Sequence, residues 1–143
     1  MSDEEVRGFL AEKMVMQCAT NGPRGLPHMV AMWFVPDSEP RTWTYAKSQK
    51  ARNLERDPRA TLGFEEGVQY HELRGVMLEC DVLIERDPAR VEEVGLELFA
   101  RYAGALNDEI RAMVAKQAAK RVGLTFVPTR TVSWDHRKLH GSY

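Results

Sequence analysis

Residues 43–62, WTYAKSQKARNLERDPRATL, decide the reading of this chain. Trp43 to Ala46 has the β-branched and aromatic content of a strand, and Lys47-Ser48 reads as a turn. Gln49 to Arg56 follows with helix formers, and Arg59 onward alternates again. Ser48 stands where a helix N-cap belongs, so Gln49, Lys50 and Ala51 open the first turn with unpaired backbone N–H groups and a positive dipole end. Lys50 adds a full charge at that point. A helix N-terminus with a lysine on its first turn suits a phosphate. Arg41, Lys47, Lys50, Arg52, Arg56 and Arg59 crowd this segment against only Glu55 and Asp57, although the chain as a whole carries a net charge of −1. Spacing alone leaves two readings open: a phosphate-holding strand–helix unit, or a solvated basic helix between two strands.

Upstream, Ser2 and Glu5 form a capping-box pattern for a helix with Val6, Phe9 and Leu10 on its apolar side. MVMQCATN then reads as a strand, NGPRGLP as a turn, and HMVAMWFV (His28 to Val35) as a second strand closed by PDSEP. In that second strand one face carries His28, Val30, Met32 and Phe34, the other Met29, Ala31, Trp33 and Val35. Both faces are largely apolar. An antiparallel strand with one wet face alternates, so the second face is expected to be covered by the helices, by a second subunit or by a flat aromatic ligand, and a second copy of the chain across a twofold axis is the favoured cover.

Downstream, RATLGFEE gives a strand from Arg59 to Glu66, and QYHELRGVMLECDVLIER a long one in which Gly75 reads as a bulge or bend. Asp87-Pro88 starts a helix that runs to Gly104, and Asn107 caps another. VGLTFVP and RTVSWD close the chain as two strands separated at Pro128. Seven short strands with a helical excursion predict a mainly β fold, a small antiparallel barrel with flanking helices. The 143 residues fit one domain, long enough to bury roughly 70% of the unfolded surface.

Near-neutral charge argues against a nucleic-acid binder, and no apolar run is long enough to cross a bilayer. The acidic, amphipathic beginning MSDEEVRGFLAEK does not resemble a secretory signal. Cys18 and Cys80 each lie in a strand-like apolar run without CxxC spacing, so buried thiols and a cytoplasmic location are expected. His71, His136 and His140 with Asp135 are too thin a basis for a metal site, and none is expected.

The blocks LPHMVAMWF, WTYAKSQKARNLERDPRATL, Leu73-Arg74-Gly75 and VSWDHRKL, in this order along nearly the whole chain, resemble the pyridoxamine 5′-phosphate oxidase-like split β-barrels. The resemblance is strongest to their branch that uses the deazaflavin coenzyme F420. It implies a six- to seven-stranded antiparallel split barrel acting as a homodimer, with the cofactor at the dimer interface. It implies that Ser48, Gln49 and Lys50 hold the cofactor phosphate, with Ala51 and Asn53 beside them and Thr44 facing the cofactor. The strand from His28 through Val30, Ala31 and Met32 to Trp33 is implied to run along the flat ring, and Tyr70 to reach that ring from the partner subunit.

The vitamin-forming oxidases of the family carry an arginine and a lysine where this chain has His28 and Trp33, and their C-terminal arginine–histidine clamp has no clear counterpart in SWDHRKLHGSY. Vitamin synthesis is therefore not the expected activity. The resemblance implies a reductase that passes a hydride from reduced F420 to a conjugated small-molecule acceptor. An FMN-dependent enzyme on the same fold and a non-catalytic flavin or deazaflavin binder are the alternatives. Lys47, Arg52 and Arg56 offer a cationic track for the longer anionic tail of F420. No catalytic dyad stands out, and His28 and Tyr70 are the candidate proton donors, beside His71, His136 and solvent. Trp33 and Trp134 are candidates for an aromatic pocket wall as well as for the core.

Overall fold

Six strands form one antiparallel sheet in a computed structural model that describes residues 1–142. In chain order the elements are α1 (Asp3–Glu12), β1 (Met16–Asn21), β2 (Pro27–Met32), β3 (Arg41–Tyr45), α2 (Gln49–Arg56), β4 (Arg59–Glu66), β5 (Arg74–Glu85), α3 (Pro88–Ala103), α4 (Asp108–Ala118) and β6 (Arg121–Asp135). The order across the sheet is β2-β1-β4-β5-β6-β3. The two edge strands, β2 and β3, meet only where the sheet curls back on itself. There Val35 and Arg41 exchange backbone hydrogen bonds of 2.7 and 3.1 Å, and Thr42 Oγ1 donates to the Trp33 carbonyl at 2.8 Å. Beyond this pin the edges part without pairing, which makes a half-barrel with a split.

Alternation along the strands sends Met16, Leu62, Phe64, Val76, Leu124 and Phe126 into the curl, with Phe34 beside them, all at most 1% exposed. Each such side chain contributes about 1.5–3 kcal/mol by leaving water. Phe9 and Leu10 of α1 close one side of this core. A second cluster joins Trp43 of β3 to Val91 and Leu98 of α3 and Val114 and Ala118 of α4, so the helical excursion packs on the outside of the split. Three expected caps form as read, Glu5 N–H donating to Ser2 Oγ at 3.2 Å, Ala51 N–H to Ser48 Oγ at 3.1 Å and Ile110 N–H to Asn107 Oδ1 at 2.8 Å, whereas Asp87 stands at the N-cap of α3 without a side-chain capping bond.

Four details differ from the sequence reading. Strands predicted on either side of Pro128 are one strand, β6, so there are six strands rather than seven. Proline is tolerated because it stands at a bulge: Arg130 faces Glu79 and Pro128 faces Cys80, leaving Thr129 as the extra residue, with its hydroxyl donating to the Glu79 carbonyl at 3.1 Å. Gly75 is not the bulge. It pairs with Trp134 in a regular ladder, and the indole lies where a Cβ would project. Tyr70 does not start β5 but opens a short 3-10 turn, Tyr70–Glu72. β2 ends at Met32, opposite Met16, where its partner strand β1 begins, although the alternation continues with Trp33 outward, 49% exposed, and Phe34 buried.

Gly95 of α3 lies against the Trp43 ring and Val114 with no room for a methyl group. Gly8 of α1 meets nothing. Gly95→Ala is therefore expected to cost about 1–3 kcal/mol by overpacking. Gly8→Ala is expected to stabilise by about 0.5–1 kcal/mol through helix propensity. Urea denaturation of both variants tests the α3–α4–β3 packing, and equal effects of the two substitutions would contradict it.

Candidate functional site

A cleft of about 450 Å³ occupies the split between the edge strands. Ala31, Met32 and Trp33 form one wall and Thr42 to Tyr45 of β3 the opposite one. Lys50 enters from the first turn of α2, and Arg121 from the first residue of β6. Leu98 and Phe99 of α3 and Met113 and Gln117 of α4 close the outer side.

The cleft carries concentrated, uncompensated positive charge. Burial pushes the Lys50 ammonium below its ordinary value, and the nearby Arg121 guanidinium pushes it further down, while Cys18 opposes the shift. Among the described residues neither cation has a carboxylate partner. Arg121 instead lies over the rings of Trp43 and Tyr45, 4.7 and 4.1 Å from their centroids, and its buried Nε has no hydrogen-bond partner. Gln117 Oε1 is also buried and unpartnered. Met113 and Gln117 share one face of α4 at a four-residue step and Arg121 opens β6 just beyond it, so this side of the cleft holds one unsatisfied donor, on Arg121, and one unsatisfied acceptor, on Gln117. An unpaired buried polar atom costs about 1–3 kcal/mol, and a phosphorylated ligand offers both cations an acceptor. The residues present fit an anionic group.

The cleft brings together Ala31, Met32, Trp33, Thr44 and Lys50 among the site residues expected from the sequence. Ser48 stands one step behind, its hydroxyl 3.5 Å from Thr44 Oγ1 and engaged in capping Ala51. Gln49 donates to Asn53 Oδ1 at 2.7 Å. Asn53 is fully buried and donates to Thr20 Oγ1 at 3.0 Å, which makes it the anchor of α2 on β1. Ala51 is equally buried. His28 and Val30 lie further along β2, outside the cleft wall, and His28 Nδ1 has no partner. Tyr70 is 57% exposed and packs its ring 4.7 Å from that of His136, away from its own chain's cleft. Trp134 covers Gly75 and takes no part in the cleft wall.

The cationic track is narrower than the sequence implied. Arg56 donates to the Asn21 carbonyl and to Asn53, Arg59 grips Asp57 at 2.8 Å, and Arg41 pairs with Glu97 at 2.8 Å. Lys47 and Arg52 stay exposed without an ion pair among the described residues. Arg121, Gln117, Tyr45, Phe99 and Met113 were not singled out from the sequence. The one local sign of Arg121 is the basic pair Lys120-Arg121 at the entry to β6.

A helix-flanked half-barrel of six antiparallel strands, with a ligand-sized cleft at its split, defines a split-barrel protein. The chain belongs to the pyridoxamine 5′-phosphate oxidase family, whose model matches residues 2–135. A crystal structure of a conserved hypothetical protein from Mycobacterium tuberculosis is similar at 44% identity with a TM-score of 0.91, covering 100% of this chain and 90% of that one. An F420 reductase is similar at 27% identity and a TM-score of 0.71, covering 88% of this chain and 94% of that one. HutZ, a heme storage protein from Vibrio cholerae, shares the fold at 20% identity and a TM-score of 0.71, with 91% and 92% covered. Among curated proteins none matches. No helix of the described residues is long and apolar enough to cross a membrane.

Lys50→Ala and Arg121→Ala are each expected to weaken a phosphorylated ligand by about 1–3 kcal/mol through loss of a charge-assisted contact. A bound anion favours the charged lysine, so wild-type affinity is expected to fall as pH rises through the depressed Lys50 value, on the acid side of the ordinary 10.5. In Lys50→Ala that alkaline loss disappears. Titrations across pH check both points, and an unchanged dissociation constant in Lys50→Ala would return the lysine to the solvated-helix reading.

Proposed function

We propose that this protein is a coenzyme F420-dependent reductase that delivers a hydride to a flat, conjugated small molecule. The observation that carries the proposal is the pair of uncompensated cations, Lys50 and Arg121, at one end of a cleft whose remaining lining is aromatic and aliphatic apart from Thr42, Thr44 and Gln117. Membership of the oxidase family and likeness to an F420 reductase support the same cofactor class.

In this reading Lys50 and Arg121 hold the phosphate beside the first turn of α2, with Thr44 and Ser48 hydroxyls behind them. The free backbone edge of β2 at Ala31 and Met32 lies along the ring, since β2 pairs on one side only, with β1. Exposed Lys47 and Arg52 attract the anionic tail from outside the cleft. The chemistry such a cofactor supplies is a hydride, two electrons carried to the acceptor, and a proton from solvent or from a side chain at the site completes the reduction. The chain's share is to orient and desolvate the reactants. His28 stands outside the cleft wall, so its candidacy as proton donor weakens. Tyr70 retains its candidacy only from a partner subunit.

A homodimer is part of the proposal. Met29 of the second strand face stays 66% exposed, and Met14 and Val15 stand bare at the entry to the adjacent strand β1. Together they make an apolar surface at one edge of the half-barrel, of the kind that oligomers cover. Light scattering that returns the mass of a single chain at micromolar concentration would remove the dimer, and with it the role of Tyr70.

Fluorescence titration with oxidised F420 and, separately, with FMN tests the cofactor. Micromolar or tighter binding of F420 with much weaker FMN binding is expected. The reverse preference would assign FMN, and F420 binding without turnover of any acceptor would leave a carrier protein instead of an enzyme.

A further inference from the structure

The end of the cleft remote from Lys50 is built from different chemistry. Thr42, at the pin, and Tyr45, beside Arg121, are three residues apart on β3, so about 10 Å of strand separates the Trp33 end from the cationic end. Trp33 stacks on Tyr102 with ring centroids 4.3 Å apart and planes within 6°. Phe99 meets it edge-on at 6.2 Å. Tyr102 is itself fixed, because its hydroxyl accepts from Phe34 N–H at 3.1 Å and from Arg101 at 2.7 Å and donates to the Met14 carbonyl at 2.8 Å. The indole is therefore a rigid plate, backed on one face and half exposed, at the lip of the cleft. Met113, 36% exposed, stands on the α4 side of the same cleft.

Two arginines lie near this end, and both are engaged within the chain. Arg101 spends its donors on the carbonyls of Phe34, Ala11 and Lys13 and lies over the Phe34 ring at 4.6 Å. Arg41 is paired with Glu97 and Asp37. An anionic group placed here would lose water without gaining a free cation.

We infer that Trp33, Phe99 and Met113 form the seat of the electron acceptor, an uncharged planar conjugated molecule that stacks on the indole. This rests on the reading that Lys50 and Arg121 take the cofactor phosphate. The same helical excursion, α3 and α4, then supplies both the polar Gln117 at the cofactor end and the apolar wall at the acceptor end. Trp33 contributes its side chain rather than its carbonyl, which Thr42 already occupies.

Calorimetry on the F420-loaded protein tests the assignment, with menadione as the neutral planar probe and a sulfonated naphthoquinone as its anionic counterpart. Menadione is expected to bind, and the sulfonate at least tenfold more weakly. Trp33→Ala is expected to weaken menadione roughly tenfold through loss of stacking. Met113→Glu, at a partly exposed position that preserves the fold, is expected to weaken it at least as much. Neither substitution should move the F420 dissociation constant more than about twofold. Equal binding of both probes, or unchanged menadione affinity in Met113→Glu, overturns the proposal. So does an F420 affinity that falls with menadione affinity, since the plate would then hold the cofactor ring. A wild-type protein that binds no F420 overturns the underlying cofactor reading instead, and the titration run without menadione separates the two failures.

Discussion

The contact between Trp33 and Thr42 sets the geometry on which the site depends. A six-stranded antiparallel sheet of this length twists and curls until its edges approach. Here the approach is fixed at one point, by the Thr42 hydroxyl on the Trp33 carbonyl and the Val35–Arg41 backbone pair. Had β2 and β3 continued to pair, the barrel would have closed around its phenylalanine core and left no cleft. Because they stop, β2 keeps an unpaired backbone edge, β3 presents Thr44 and Tyr45, and the turn after β3 brings α2 with Lys50 to the open end. α3 and α4 then pack against the outer face of β3 through Trp43, a fit so close that Gly95 admits no side chain. The excursion that looked like decoration in the sequence is the outer wall of the site.

Electrostatics decides which end of the cleft does what. Most of the basic residues near α2 are consumed by structure: Arg56 by the Asn21 carbonyl, Arg59 by Asp57, Arg41 by Glu97. Exposed pairs of this sort are worth about 1 kcal/mol or less and mark no function. Lys50 and Arg121 differ because they are partly desolvated, close to one another and without a counter-charge. Burial is the main reason the Lys50 ammonium lies below its ordinary value, and the charge of Arg121 nearby adds to the shift. A ligand phosphate relieves the repulsion between the two cations. The aromatic end has the opposite character, with its arginine fully engaged and its indole fixed by Tyr102.

Much of this was legible in the residues themselves. Ser48 as N-cap, Asp87-Pro88 as helix start, Asn107 as cap and the bounds of β4 follow from local chemistry that tertiary contacts left intact. The strand at Pro128 was misread because proline normally ends pairing; only the partner strand reveals the bulge at Thr129 that accommodates it. The Gly75 reading failed for a similar reason, since nothing local announces that Trp134 will lie over it. At the site, the β2–β3–α2 half was readable because its residues are close in sequence. Arg121, Gln117, Phe99 and Met113 were not, because they lie far downstream of β3, on α3, α4 and the start of β6. Asn53 shows the converse. A polar residue on the right helix turn reads as a ligand contact, yet complete burial against Thr20 makes it a structural anchor.

The central claim is that the split between β2 and β3 holds a phosphorylated cofactor at Lys50 and Arg121. A crystal structure of the complex with coenzyme F420 tests it most directly. The account predicts the cofactor phosphate within hydrogen-bonding distance of Lys50 Nζ and the Arg121 guanidinium, beside the first turn of α2, with the deazaflavin ring along Ala31 and Met32. A phosphate bound elsewhere on the molecule, with Lys50 and Arg121 facing only solvent, would contradict it.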